Sequence, residues 1–179
     1  MESCKQFLEE VRGIPSSVLD SNRFDGRILS DDFSNAIFPH WNAEGLSGYE
    51  IKNENFTGFA PGGQKGLWGS RTRVTDKTLV IAETAIDALS YAALFGFERC
   101  RFVSTAGQLN PEQPALLKRA VAKMIGQNAE VVLAFDNDEA GHALANTLMP
   151  DLNEILPCRT HLPTAIDADW NDTLRGERG

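Results

Sequence analysis

Residues 130–141 read Glu-Val-Val-Leu-Ala-Phe-Asp-Asn-Asp-Glu-Ala-Gly, and this stretch decides the fold. The apolar run from Val131 to Phe135 is short for a helix and suits a strand buried on both faces. It stops at Asp136 and Asp138, after which residues 139–148 take up helical spacing. The same unit recurs on either side. Thr78-Leu79-Val80-Ile81-Ala82 is a β-branched strand running into Glu83, followed by a helical pattern over 85–94 with Ile86, Leu89 and Ala93 on one face. Residues 101–104 predict a strand, 111–125 a helix with Leu116, Leu117, Ala120 and Met124 inward, 158–162 a last strand and 169–174 a short closing helix. Apolar strands alternating with helices predict an α/β fold, a mostly parallel sheet with helices on both faces.

Upstream the period changes. Residues 3–12 form an amphipathic helical pattern, and Pro15 sits near the first position of a second short helix. Residues 35–41 and 46–52 are β-like runs joined by Asn42-Ala43-Glu44-Gly45, a hairpin signal. Residues 56–60 and 67–68 add strands around Pro61-Gly62-Gly63. The expected division is a small, mainly antiparallel α+β subdomain over 1–77 and an α/β domain over 78–179.

Composition bounds the class. At 179 residues, 42% hydrophobic and 23% charged, the chain suits one medium domain or two small ones sharing a core, and is not disordered. Its apolar stretches are too short to span a bilayer, and residues 1–12 lack a signal-peptide pattern, so a cytoplasmic protein without membrane partners is expected. Cys4, Cys100 and Cys158 form no C-x-x-C pair, which excludes a zinc ribbon and a disulfide framework from the expectation. The net charge of −8 argues against coating nucleic acid by bulk charge. Its distribution is uneven: Lys65, Arg71, Arg73 and Lys77 stand against Asp76 alone over 55–77, whereas residues 78–179 carry 14 acids against 8 basic residues. A metal-dependent enzyme on a phosphate substrate would need such a pattern, and a solvated surface would produce it equally.

In an open parallel sheet, ligands bind outside the carboxyl ends of the strands. Glu83 follows one strand there, and Asp136 and Asp138 follow another. If the two strands are neighbours, the three acids converge and repel one another unless a cation sits between them. Hard oxygen ligands select Mg2+ or Mn2+. Asp138 alone reads equally as a helix cap. Asp87, in the first turn after Glu83, is either a further metal ligand or a helix-start charge. An EF-hand fails because Ala140 and Thr147 occupy its ligand positions, and a haloacid-dehalogenase-like phosphatase fits poorly with Ala140 two residues past the pair. Lys65, in a Gly-rich loop, is a candidate phosphate ligand or a solvated lysine. His40, His142 and His161 share no ligand spacing, and Trp68 and Trp170 read as packing residues.

Residues 79–89, Leu-Val-Ile-Ala-Glu-Thr-Ala-Ile-Asp-Ala-Leu, resemble the glutamate motif of the Toprim superfamily of topoisomerases, primases and some nucleases, with Thr84 where the family usually has Gly. Residues 134–141 resemble its second motif, and 104–109 sit where bacterial primases carry a Gly-containing loop. Residues 35–41, 45–50 and 62–68 resemble the segment preceding Toprim in primase-like proteins of plasmids and conjugative elements. Asp169-Trp170-Asn171-Asp172 is similar to a tail motif of that group.

The resemblance implies a Toprim, Rossmann-like sheet and Mg2+- or Mn2+-dependent nucleotidyl transfer, primase-like, in plasmid or mobile-element DNA replication or transfer. It implies Glu83 as general acid or base, Asp136 and Asp138 as metal holders with Glu83 and Asp87 beside them, and Lys65, Arg71 and Arg73 as phosphate ligands facing the same cleft. Single-stranded DNA and nucleotides are the implied partners, with a relaxase, helicase or zinc-ribbon module in the same or a neighbouring chain. Neither Tyr49 nor Tyr91 is an obvious topoisomerase nucleophile. A Toprim nuclease and a non-catalytic binding module of a larger mobilisation protein are the alternatives, and the abrupt ends suggest a fragment or a short relative of such a protein.

Overall fold

The structure, a computed structural model, describes residues 2–176; the outermost ends of the two expected units, residue 1 and residues 177–179, lie outside the described residues. Helix α1 (Glu2–Gln6) runs into a π-helical turn (Phe7–Val11), and α2 (Ser16–Leu19) follows with Pro15 as its cap. Strands β1 (Leu29–Ser30), β2 (Ala36–Trp41), β3 (Leu46–Lys52) and β4 (Thr57–Phe59) form an antiparallel sheet in that order. The hairpin predicted from Asn42 to Gly45 joins β2 and β3.

The alternating half builds the second sheet: β5 (Trp68–Gly69), β6 (Thr78–Ala82), α3 (Ala85–Phe95), β7 (Cys100–Ser104), α4 (Gln113–Ala122), β8 (Glu130–Ala134), α5 (Glu139–Asn153), β9 (Cys158–Thr160) and α6 (Trp170–Arg175). Its order is β5-β7-β6-β8-β9, with β6 to β9 parallel and β5 antiparallel at the edge. The mixed α/β architecture is as expected; several boundaries are not, β9 for one ending at Thr160 rather than at 162. Residues 67–68, expected to extend the antiparallel sheet, cross into the parallel one as β5. The crossing is held where Trp41 and Leu67 exchange backbone hydrogen bonds of 2.9 Å. It requires Gly66, since a Cβ there would lie 2.2 Å from the Trp41 carbonyl oxygen. Helix α4 ends at Ala122, before a turn that carries Gly126 and Asn128 at positive φ. Helix α5 continues past Pro150, because Leu148 and Leu152, four residues apart, are both buried and hold the last turn on the core.

Strand alternation divides the core. Val80, Ala82, Val132 and Ala134 face α3, Trp170, the N-terminal helices, and Phe38 and Trp68. Leu79, Ile81, Val131 and Leu133 face α4 and α5 through Leu117, Val121, Leu148 and Leu152. The first cluster draws residues from both sides of position 77, and buried Arg23 and Asp76 reinforce the junction through two hydrogen bonds of 2.8 and 3.1 Å. Cys4, Cys100 and Cys158 are free thiols. Among the described residues, no helix is long and apolar enough to cross a membrane.

Candidate metal centre at the carboxyl edge

Strands β6 and β8 are neighbours in register, Ala82 opposite Ala134, so Glu83 and Asp136 leave the sheet side by side. The Asp136 N–H donates to Glu83 Oε1 at 3.4 Å. From the other flank, the loop after β7 secures the Glu83 carbonyl, which accepts from the Gly107 N–H at 3.0 Å. The Gly-containing loop therefore orients the backbone that presents Glu83.

Each further acid is held by a helix start. Thr84, which occupies the family's usual glycine position, caps α3: its hydroxyl accepts from the Asp87 N–H at 3.3 Å and donates to Asp87 Oδ2 at 2.6 Å. Asp138 caps α5, its Oδ1 accepting from the Gly141 N–H at 2.7 Å. Gly141 lets the helix approach the acidic loop, since a Cβ there would stand 2.2 Å from the Asp136 carbonyl oxygen. The helix-cap reading of Asp138 and its position beside Asp136 are thus both realised.

A fourth aspartate, Asp169, joins them. The 163–169 segment docks on the acidic loop through Asn137, whose Nδ2 donates to the Pro163 and Ala165 carbonyls at 3.1 Å each. The Asn137 N–H donates to the Ala168 carbonyl at 3.0 Å. Trp170 then anchors the segment, its Nε1 donating to the Ala134 carbonyl at 3.0 Å, while the Asn171 amide donates to the Arg12 carbonyl and Ser90 Oγ. The tail motif, whose Asp169 sequence reasoning did not count as a site residue, delivers an acid and fastens it.

Crowding acids at the edge of a buried sheet disfavours their charged forms. Burial pushes the Asp136 carboxyl up to about 9, with the charges of Asp87, Glu83, Asp169 and Asp138 adding to it. Burial, then Asp169, raises Asp87 to about 7, against the pull of Lys52. Burial likewise raises Glu83, with the Asp138 and Asp169 charges adding to it, and raises Asp169. Asp136 Oδ1 is buried and has no hydrogen-bond partner.

An orphaned carboxylate oxygen surrounded by acids fits a divalent cation. Among the described residues, no three or more His, Cys, Asp or Glu side chains are gathered as a group that could hold a metal ion. Mg2+ does not need so many, because it keeps several waters and takes only one or two carboxylates from the protein. The residues present therefore fit an open, partly hydrated site.

Sequence reasoning also missed the supports from β2 and β3. Glu50 Oε1 accepts from the Ala85 N–H at 3.4 Å and faces His40 Nε2 at 3.2 Å, while His40 Nδ1 donates to the Gly66 carbonyl at 2.9 Å. Lys52 lies 3.7 Å from Glu50 Oε2 and offsets the charge of Asp87. His40 is therefore a buried bridging residue. Its signal in the sequence, a polar residue within a β-run, is shared by many exposed positions.

Of the three basic residues expected to face the acids, the structure brings only Lys65 to this end. Its ammonium donates to the Ala106 and Gln108 carbonyls at 2.8 and 3.2 Å, bracing the loop that holds Glu83. Strand β5 then runs antiparallel to β7 and carries the chain toward the opposite edge. There Arg71 bonds Asp25, and Arg73 bonds Asn22 and reaches Glu98. Arg71 and Arg73 do not share a cleft with the acids.

Comparison with known proteins gives the geometry a family. The sequence pattern described as Toprim-like matches residues 80–174, and that of a protein family of unknown function (DUF3991) matches residues 6–77. No curated protein matches the chain. Among solved structures, the primase fragment of the bacteriophage T7 primase-helicase is similar over 93% of this chain and 68% of its own, at 18% identity and a TM-score of 0.56. The zinc-binding and RNA polymerase domains of the Aquifex aeolicus primase align over 98% of this chain and 56% of theirs, at 14% identity and a TM-score of 0.55. A DNA primase domain from Pseudomonas aeruginosa aligns over 90% and 56%, at 11% identity and a TM-score of 0.50. The chain thus spans little more than half of the latter two, and at these identities the likeness is one of fold. The Toprim-like match takes in more than half of the 179 residues, and by it the chain belongs to the Toprim-like family.

Proposed function

We propose that this chain is a primase-like enzyme that transfers nucleotidyl groups on a nucleic-acid template with a divalent cation, Mg2+ or Mn2+. The observation that carries the reading is the buried, partnerless Asp136 Oδ1, ringed by the charges of Glu83, Asp87, Asp138 and Asp169 at the carboxyl edge. Asp136 and Asp138 would hold the cation, with Asp87 and Asp169 offering further oxygens. A cation held there supplies positive charge opposite phosphoryl oxygens whose negative charge grows during transfer. Glu83, raised by burial, can exchange a proton with a reacting hydroxyl. Thr84 keeps the Asp87 carboxylate turned toward its hydroxyl, and Asn137 keeps the acidic loop closed on the tail.

Single-stranded DNA and nucleotides are the proposed substrates. The resemblance of residues 62–68 and 169–172 to primase-like proteins of plasmids and conjugative elements supports a role in replicating or transferring such DNA in the cytoplasm. A relaxase, helicase or zinc-ribbon module would be the partner: the T7 relative is named a primase-helicase, and the Aquifex aeolicus structure includes a zinc-binding domain.

The test is to incubate the purified chain with a single-stranded template, labelled nucleotides and Mg2+ or Mn2+. New oligonucleotides are expected from the wild type and none from Asp136→Ala or Glu83→Gln. Strand cleavage instead would make the same centre a nuclease. Neither product with either metal would overturn the enzyme reading in favour of a binding module.

A further inference from the structure

An antiparallel sheet with one face on the core commonly turns polar side chains to the other. The sheet β1-β2-β3-β4 inverts this pattern. Leu29 pairs with Ile37, Ile37 with Ile51 and Ile51 with Gly58, so these residues share one face in a row across all four strands. The Phe56 ring takes the place of the missing Gly58 side chain, since a Cβ there would lie 2.6 Å from Phe56 Cζ. Pro39 and Tyr49, paired beside them, widen the row. This face looks away from the core: Ala36 and Phe38, at the alternate positions, belong to the cluster around Trp68, whereas Ile37 belongs to neither core cluster. The charged residues of these strands, Glu50 and Lys52, stand opposite Phe38 and Ala36 and so point inward.

The row is open to solvent, with Leu29 46%, Tyr49 38% and Phe56 50% exposed. Among the described residues, no Asp, Glu, Lys or Arg occupies an outward position of the four strands. The chain as a whole carries a net charge of −8, so two copies repel one another through most of their surfaces. A two-fold contact brings the same patch of both copies together, which doubles any charge that patch holds. An uncharged apolar face is therefore where this chain can meet itself. Four strands about 4.8 Å apart and up to seven residues long, at about 3.4 Å per residue, span roughly 19 by 24 Å. That plane is about 450 Å2 on each copy, or about 900 Å2 in all, the size of a weak, reversible contact.

We propose that the outward face of this sheet is the interface of a reversible, two-fold symmetric dimer of the chain, with the two sheets packed face to face across the row from Leu29 to Phe56. Stacked sheets lie about 10 Å apart, a gap that interdigitating Leu29, Ile51, Tyr49 and Phe56 side chains fill. The contact goes beyond the nucleotidyl-transfer reading and does not depend on it. Glu50 supports the start of α3 from the inward side of β3, so the acids and the dimer contact lie on opposite sides of the sheet.

The test is analytical ultracentrifugation of the full chain from micromolar to millimolar concentration, at low and high salt. A concentration-dependent dimer is expected, and salt should tighten it by screening the repulsion between two negatively charged copies. Leu29→Lys and Tyr49→Lys, made separately, each put a charge into both halves of the contact and should weaken it at least about tenfold. Both side chains are already more than a third in water, and circular dichroism checks that each variant keeps its fold. Val74→Lys, at a side chain 90% exposed and outside the sheet, is the control and should leave the dimer unchanged. Three results overturn the proposal: a wild type that stays monomeric, which would leave the face to a different protein; folded Leu29→Lys and Tyr49→Lys variants that dimerise as the wild type does; or a dimer that dissociates as salt rises.

Discussion

Replacing Asp136 by Asn keeps the shape of the side chain and removes its charge, so it isolates the electrostatic cost of the acidic cluster. Burial and the surrounding acids raise the folded-state carboxyl to about 9, against about 3.9 in an unfolded chain. At neutral pH the wild type must therefore take up a proton to fold, which costs up to about 4 kcal/mol at 1.36 kcal/mol per pH unit. Asn pays none of it. Because the folded pKa is raised, the penalty is absent below the unfolded pKa, grows as pH rises through the interval, and levels off near the folded value. The variant should thus match the wild type near about pH 4 and exceed it increasingly toward about pH 9. At neutral pH a gain of about 2–4 kcal/mol corresponds to roughly 5–15 °C in Tm for a chain of this size. Millimolar Mg2+ should narrow the gap by stabilising the wild type through binding to the folded state and leaving the variant nearly unmoved. Thermal unfolding by circular dichroism across this pH range, with and without Mg2+, reads both effects. A pH-independent difference, or a variant less stable than wild type at neutral pH, would refute the reasoning.

Gly141→Ala should push the start of α5 away from the acidic loop, because the new Cβ meets the Asp136 carbonyl oxygen at 2.2 Å; overpacking of this kind typically costs about 1–3 kcal/mol, and denaturant unfolding measures it. The same variant should lose most of its Mg2+-dependent rise in Tm. Trp170→Phe removes the hydrogen bond to the Ala134 carbonyl and leaves that buried acceptor unpaired, a loss of about 1–3 kcal/mol by chemical denaturation. Asp76→Ala strands the fully buried Arg23 and should destabilise by about 3–5 kcal/mol, whereas the double change Arg23→Met/Asp76→Leu should recover much of the loss, as a double-mutant cycle would show.

The parts of the site that could be read in the sequence are those set by local pattern. Apolar runs ending in Glu83 and Asp136 declare strand ends, and right-handed connections between parallel strands leave few ways to arrange them. What resisted reading depends on pairing between distant segments. Leu67 and Trp68 look like any short strand, and only the exchange of bonds with Trp41 and the register against Ser104 carry them into the second sheet. Once β5 runs antiparallel to β7, Arg71 and Arg73 must end at the far edge, although their nearness in sequence to Lys65 suggested one shared cleft. Asp169 was visible as part of a motif, yet its meeting with Asp136 depends on the Asn137 and Trp170 bonds across more than thirty residues of intervening chain.

The central claim is that Asp136 anchors a divalent cation at the carboxyl edge of the sheet. Crystals of the full chain soaked in Mn2+ and measured for anomalous scattering test it directly. A Mn2+ peak ligated by Asp136 Oδ1 is expected, with Asp138, Asp87 or Asp169 supplying a further oxygen, and it should disappear in Asp136→Asn. A wild-type map with no ion at Asp136, or with Mn2+ bound only elsewhere on the chain, would contradict it.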